Sequence, residues 1–259
     1  MLKVRVIPTL LWKDFGLVKG VRFDSWRRVG SVLPAIKVYN ARDVDELILV
    51  DITASTEGRS PDHESVREFA AECFVPLTVG GGIRTHAQIV SLLHAGSDKV
   101  ALNTSLFEDP RLVDDAARQF GSQCVVASVD VRRLDGGGFT CLSYSGSRDT
   151  GRDPVAWVRE LADRGAGEIL LTSVDRDGTM TGYDVELIER VVAAVPIPVI
   201  ASGGAGTYQH LIDAVRAGAS AVAAASIFHF TEQTPAEAKA AMQLAGIPVR
   251  QNFAGVARA

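Results

Sequence analysis

The sequence predicts one (β/α)8 barrel over residues 1–259, with 247–259 as a C-terminal tail. Three observations predict it. A chain of 259 residues matches the usual size of such a barrel. Short runs rich in Val, Ile, Leu and Ala alternate eight times with amphipathic helical stretches, the order that builds a parallel sheet covered by helices. The chain also resembles itself at an offset of 122 positions, so the barrel reads as two similar halves.

Strands are expected near 4–11, 46–51, 76–79, 99–103, 124–130, 168–173, 197–201 and 220–225. Helices are expected near 31–41, 62–73, 85–95, 110–118, 153–164, 183–194, 207–217 and 234–244. The third helix shows the local logic. Thr85 can cap its first turn, Ile89, Leu92 and Leu93 make its apolar stripe, and Gly96 ends it. Gly136-Gly137-Gly138, after the fifth strand, reads as a flexible loop or small hairpin and is too isolated for a phosphate cradle.

The repeat is ungapped. The 122-residue shift lays Glu46 on Glu168, Pro76 on Pro198, Gly81-Gly82 on Gly203-Gly204, Thr85 on Thr207 and Val100 on Val222. A site in one half therefore has a counterpart across a pseudo-twofold axis.

Composition excludes several function classes. A formal net charge of −4, with no basic stripe interleaved with aromatics, gives no case for nucleic acid. Three cysteines, Cys73, Cys124 and Cys141, suit neither a disulfide framework nor a zinc site. His63, His86 and His210 fall at or near helix starts and His94 near a helix end, away from any strand carboxylate, so no metal is expected. No cofactor is expected either. The first residues are too short and too charged for a signal peptide, and no run approaches the ~18–20 apolar residues that span a bilayer. A cytoplasmic protein is expected.

Each half places glycines and small donors at the C-terminal ends of its strands, the working face of such barrels. One half has Gly80-Gly81-Gly82, then Asn103 and Thr104. The other has Ser202-Gly203-Gly204, then Ala225 and Ser226. Glycines let backbone N–H groups approach an anion, and two repeat-related copies fit a ligand with a phosphate at each end better than tight turns alone. Period-two alternation turns Val126, Ser128 and Asp130 inward, which makes Asp130 a catalytic position by geometry. Asp177, before Gly178-Thr179, either binds substrate or shapes its turn. At the opposite face Arg5, Glu46, Lys99 and Glu168 each begin a strand. Inward charges there are costly unless paired, and two cations with two anions can close a neutral ring that reads as a stabilising plug.

These motifs resemble the cyclase subunit of imidazole glycerol phosphate synthase and its half-barrel relative, the ProFAR isomerase. The stretches that carry the resemblance include Val18-Lys19-Gly20, Leu49-Val50-Asp51-Ile52-Thr53-Ala54-Ser55, Val79-Gly80-Gly81-Gly82-Ile83 and Gly167-Glu168-Ile169-Leu170-Leu171-Thr172-Ser173. Val174-Asp175-Arg176-Asp177-Gly178-Thr179, Ile200-Ala201-Ser202-Gly203-Gly204 and Ala225-Ser226-Ile227-Phe228-His229 extend it over nearly the whole chain. In that family the barrel takes ammonia from a glutaminase subunit, then cyclises and cleaves a ribulosyl intermediate bearing two phosphates.

The resemblance implies a substrate- and phosphate-binding set of Lys19, Gly82, Asn103, Thr104, Thr172, Asp177, Gly178, Thr179, Ser202, Gly203, Gly204, Ala225 and Ser226. It also makes the ring of Arg5, Glu46, Lys99 and Glu168 an ammonia gate, with Asp98 available to dock the glutaminase. The family's two catalytic aspartates end strands 1 and 5. Asp130 matches the second, whereas the first position is Leu11, which cannot transfer a proton. That departure looks like a branch found with surface-polysaccharide genes. Its members are thought to work with a glutaminase-like partner and a third, amidotransferase-like protein, converting an acetamido group on a sugar nucleotide to an acetamidino group. The alternatives are the histidine-pathway synthase, with Lys13 or Asp14 compensating for Leu11, and a scaffold that only conducts ammonia.

Overall fold

The computed structural model describes residues 3–14, 16–42 and 44–250. In chain order the elements begin with β1 (Arg5–Lys13), β2 (Gly16–Val21), β3 (Asp24–Gly30), α1 (Val32–Ala41), β4 (Leu47–Asp51), α2 (Ala54–Glu57) and α3 (His63–Ala71). They continue through β5 (Leu77–Gly80), α4 (His86–His94), β6 (Lys99–Leu102), α5 (Thr104–Glu108), α6 (Arg111–Phe120) and β7 (Val125–Arg133). Then come β8 (Phe139–Ser143), β9 (Arg148–Asp149), α7 (Pro154–Asp163), β10 (Glu168–Ser173) and α8 (Val185–Val192). The order closes with β11 (Val199–Ser202), α9 (Tyr208–Arg216), β12 (Ala221–Ala224), α10 (Ser226–Phe230) and α11 (Pro235–Leu244).

Strands β1, β4, β5, β6, β7, β10, β11 and β12 pair in that order, all parallel. β12 then pairs with β1, Arg5 opposite Ala221, and the barrel is closed. Each of the eight expected strands and helices is present, with ends differing by a few residues. The repeat reaches the helix caps. Asp62 and Asp184, 122 apart, accept the N–H of Ser65 at 3.0 Å and of Leu187 at 3.2 Å. Thr85 and Thr207, also 122 apart, cap α4 and α9, as Ser/Thr hydroxyls do by accepting an otherwise orphaned N–H.

Alternation along the strands makes two apolar layers. Ile7, Ile48, Ala101, Val126, Leu170 and Ile200 fill the barrel, while neighbours such as Val6, Leu10, Leu47 and Val125 pack outward against the helices. On β7 the expected inward face is the observed one: Val126 joins the inner layer, and Ser128 and Asp130 rise above it into a cavity.

Two hairpins interrupt the plain alternation. β2 and β3 form one between β1 and α1, where no strand is expected. The sequence hides it because β3 is largely exposed and polar, while β2 sets a lysine and two glycines among its three apolar residues. β8 runs back along β7 after the glycine triplet, and Leu134 accepts the N–H of Gly137 at 2.9 Å, so that segment is a hairpin. In the tail, Ile247 and Val249 are buried and the N–H of Val4 donates to Pro248 at 2.7 Å; residues 251–259 lie outside the described residues.

Candidate active site

One cavity opens at the C-terminal ends of the barrel strands. Fourteen of the residues singled out from the sequence line it: Leu11, Lys19, Gly82, Asn103, Thr104, Asp130, Thr172, Asp177, Gly178, Ser202, Gly203, Gly204, Ala225 and Ser226. Thr179 stands apart. Its hydroxyl donates to the Arg176 carbonyl at 2.8 Å and serves the turn. Lys13 and Asp14, the residues offered as compensation for Leu11, sit at the β1–β2 turn and do not line the cavity.

The glycine turns keep the repeat in atomic detail. Gly81 has φ +105° and Gly203 φ +87°, conformations open to glycine at little cost. A Cβ on Gly81 would lie 2.1 Å from the Asp51 carbonyl oxygen, and one on Gly203 would lie 2.6 Å from that of Ser173. Asp51 and Ser173 are themselves 122 apart, so both halves bring the same backbone approach to the cavity rim. The side-chain donors differ. Thr104 Oγ1 already accepts the N–H of Tyr144 at 2.9 Å, and Asn103 Nδ2 donates to the Ser128 carbonyl at 3.0 Å. Ser226 Oγ, buried, makes no hydrogen bond among the described residues.

Three carboxylates border the cavity, and their partners set them apart. Asp51 accepts the N–H groups of Thr53 and Ala54, both at 3.0 Å, and pairs with Arg59 at 3.1 Å. Asp177 pairs with Lys19 at 2.6 Å, and Lys19 is only 2% exposed. Burial still raises the Asp177 pKa above the ordinary carboxylate value, with Lys19 opposing it. Among the described residues no cation contacts Asp130; the Asn103 amide donates to it at 3.2 Å. Burial, with the nearby charge of Asp177, pushes its pKa up to about 7. A carboxyl so tuned exchanges its proton near neutrality, as a general acid or base requires.

The β2–β3 hairpin folds over this mouth. Arg22 N–H donates to the Asp177 carbonyl at 2.8 Å, and Phe23 and Trp26 join the cavity lining. On strand 1 the position across the barrel from Asp130 of β7 is the apolar Leu11, with Thr9 and Lys19 lining the cavity beside it.

The opposite end carries the expected ring. Arg5 donates to Glu46 and to Glu168, each at 2.6 Å, and Lys99 reaches Glu46 at 3.0 Å and Glu168 at 2.9 Å. Thr78 Oγ1 adds a bond to Glu46 at 2.8 Å. Burial pulls the Arg5 pKa down, but the two carboxylates outweigh it and the value is raised. Asp98, exposed beside Lys99, accepts the N–H of Leu77 at 2.8 Å.

Sequence reasoning missed Thr9, Trp26, Phe23, Asp51 and Arg84 as lining residues. Thr9 carried a usable signal, since it lies two residues before Leu11 and must share its face. Trp26 and Phe23 carried none, because only the unforeseen hairpin brings them over the barrel. Among the described residues no group of three or more His, Cys, Asp or Glu could hold a metal, and no helix is long and apolar enough to cross a membrane.

Residues 5–234 match the family model described as histidine biosynthesis protein. The chain is 52% identical over 252 residues to "Imidazole glycerol phosphate synthase subunit HisF" of Caulobacter vibrioides, covering 96% of this chain and 97% of that protein. It is 51% identical over 255 residues to the protein of the same name from Mycobacterium tuberculosis, covering 96% of each.

Proposed function

We propose a function from one premise: this chain belongs to the histidine biosynthesis protein family, in the branch of the HisF subunit. It is the ammonia-consuming subunit of a glutamine-dependent synthase, partnered by a HisH-like glutaminase at the bottom face. The observation that carries this is the stacking along one barrel axis of a charged ring, an apolar layer and a cavity with two repeat-related glycine turns. Neutral ammonia can cross the apolar layer of Ile7, Ile48, Ala101, Val126, Leu170 and Ile200, whereas ammonium would lose its hydration there. The ring of Arg5, Glu46, Lys99 and Glu168 is then the gate, and Asp98 lies beside it for docking.

In the cavity, the backbone of Gly81-Gly82 and Gly203-Gly204, with Thr104 and Ser226, holds the two anionic ends of the acceptor. Lys19 and Asp177 grip it from the mouth. Asp130, poised near neutrality, moves the proton as ammonia adds. The β2–β3 hairpin over the mouth keeps water from the reacting centre.

Two acceptors are candidates, each with its own observation; the ribulosyl intermediate has the two anionic ends this frame holds, whereas a sugar nucleotide carries one internal diphosphate that a single turn would meet. The relatives' name points to the ribulosyl bisphosphate intermediate whose cyclisation yields imidazole glycerol phosphate. Leu11 points to a sugar nucleotide whose acetamido group becomes acetamidino, with a third, amidotransferase-like protein assisting. Cyclisation in the family calls for carboxylates on both sides of the ligand, and the strand-1 position here is Leu11. The test is turnover of each acceptor with ammonium salts, by the chain alone and with its glutaminase. Cyclisation at the rate of ordinary family members would overturn the amidination reading; no turnover of either acceptor would overturn both and leave the ammonia-conducting scaffold.

A further inference from the structure

The two glycine turns repeat in sequence and in backbone, yet what holds each in place differs. In the first half, Gln88 lies in the opening turn of α4, and its Oε1 accepts the N–H of Arg84 at 2.7 Å. In the second half the residue 122 positions on is His210, in the opening turn of α9. Its Nδ1 accepts the N–H of Gly206 at 3.2 Å. Arg84 and Gly206 are themselves repeat partners. Both halves therefore use a side chain of the following helix to hold the backbone two residues beyond the glycine pair.

The second half adds a further tie. Gln233 Nε2 donates to the carbonyl of Gly206 at 2.9 Å, so both backbone polar groups of that buried glycine are taken by side chains. The Gln233 N–H donates to Thr231 Oγ1 at 3.0 Å, and that hydroxyl donates to the carbonyl of Ile227 at 2.5 Å. Ile227 follows Ser226, so the tie reaches from one arm of the second anion turn to the other. The repeat partners of Thr231 and Gln233 are Asp109 and Arg111, which pair with each other at the surface at 2.8 Å. The first turn is tied toward the segment after β4 instead. Arg84 donates to the carbonyls of Ser55 and Gly58, both at 3.0 Å, and Gln88 Nε2 donates to Ser60 at 2.9 Å.

A backbone N–H is a good anion donor only where the chain around it is already ordered, and glycine gives up the most freedom on ordering. Gly203 and Gly204 both have positive φ, and Gly204, Ala205 and Ser226 line the same cavity. Gly206 is the next residue in the chain. A Cβ there would lie 2.2 Å from the Met180 carbonyl oxygen, so the turn is packed closely from behind as well.

We propose that His210 and Gln233 are positioning residues for the second anion site. They clamp Gly206 from two sides, fix the backbone of Gly204 and Ala205, and hold it against Ser226. Neither lines the cavity, so both act through the backbone. This assignment rests on the reading of the glycine turns as anion sites and specifies what keeps one of them in shape.

The experiment soaks crystals of the full chain in a series of inorganic phosphate concentrations, and occupancy at each turn gives that turn's affinity. The first turn is the internal reference. His210→Ala should weaken phosphate at the second turn on the order of fivefold, the worth of one hydrogen bond, and leave the first turn unchanged. His210→Gln installs the residue that holds the backbone at the equivalent position 88, and should restore the parent affinity. Gln233→Met keeps the length, removes the donor, and should also weaken the second turn alone; it carries the test if His210→Ala does not fold. Equal weakening of both turns, an unchanged second turn, or no recovery with His210→Gln overturns the brace and leaves the anion reading standing. Phosphate absent from the second turn of the parent chain overturns the anion reading there together with the brace.

Discussion

The two ends of this barrel hold charge in opposite ways. At the bottom, Glu46 and Glu168 each contact both Arg5 and Lys99, so every ring charge has opposite partners within 3.0 Å. At the top, among the described residues, three carboxylates share two contacting cations: Arg59 serves Asp51, Lys19 serves Asp177, and Asp130 has the Asn103 amide. Paired charges hold their ionisation state and lock geometry. A buried carboxylate without a cation keeps its proton to about pH 7, which is what proton transfer needs and what stability alone would not select. The same fold thus has one end satisfied and one end poised.

The largest expected effect breaks the poised end. Asp130→Asn should lower ammonia-dependent turnover by ~10²–10⁴-fold, the usual worth of a general acid or base, measured in the assembled complex. Unchanged turnover would favour the scaffold. The variant should also be more stable than the parent chain at pH 8. The Asp130 pKa is raised in the fold, so its burial costs stability above about pH 7, and that cost fades as pH falls toward the ordinary carboxylate value. Urea denaturation of parent and variant at pH 8 and pH 4.5 should therefore show the gap between them narrowing at the lower pH.

Next comes the satisfied end. Lys99→Ala removes one of two cations from both glutamates and should cost about 3 kcal/mol in urea denaturation, because Arg5 alone is left to compensate two buried carboxylates. If the ring is a gate, glutamine-dependent turnover changes more than turnover with free ammonia. Equal loss in both assays would identify a plug.

Leu11→Asp sharpens the contrast by adding a second unpaired carboxylate to the cavity. Like-charge repulsion should move the acid limb of the pH–rate profile upward, and any cyclisation of the ribulosyl intermediate should rise. An unmoved profile would show that residue 11 and Asp130 do not share one ligand.

The smallest effect separates the two anion turns. Ser226 Oγ makes no hydrogen bond among the described residues, whereas Thr104 Oγ1 accepts the Tyr144 N–H and keeps its own O–H to donate. Ser226→Ala should weaken inorganic phosphate binding several-fold, about 1 kcal/mol, without loss of stability, whereas Thr104→Ala should also destabilise the chain by orphaning the Tyr144 N–H. Empty electron density at both turns in crystals grown in phosphate would remove the anion assignment altogether.

Much of the contrast is legible in the residues themselves. A repeat that the chain writes twice places Glu46 and Glu168, and alternation along a strand whose outward neighbours are all Val or Ala places Asp130. Asp177 is legible only as an alternative, because a turn aspartate looks the same whether or not a lysine 158 residues away reaches it. Trp26 and Phe23 are not legible, since the strand that follows Phe23 and carries Trp26 is mostly exposed and leaves no periodic trace.

The sequence by itself determined the barrel, its halves and the inward residues, because burial enforces a period of two on strands and caps enforce their residue types at helix starts. Tertiary structure alone decided which charges meet. Asp177 meets Lys19 because the β2–β3 hairpin folds against the loop after β10, and among the described residues Asp130 meets no cation. Pairing between residues so far apart is set by the shape of the closed barrel, and no local pattern encodes it.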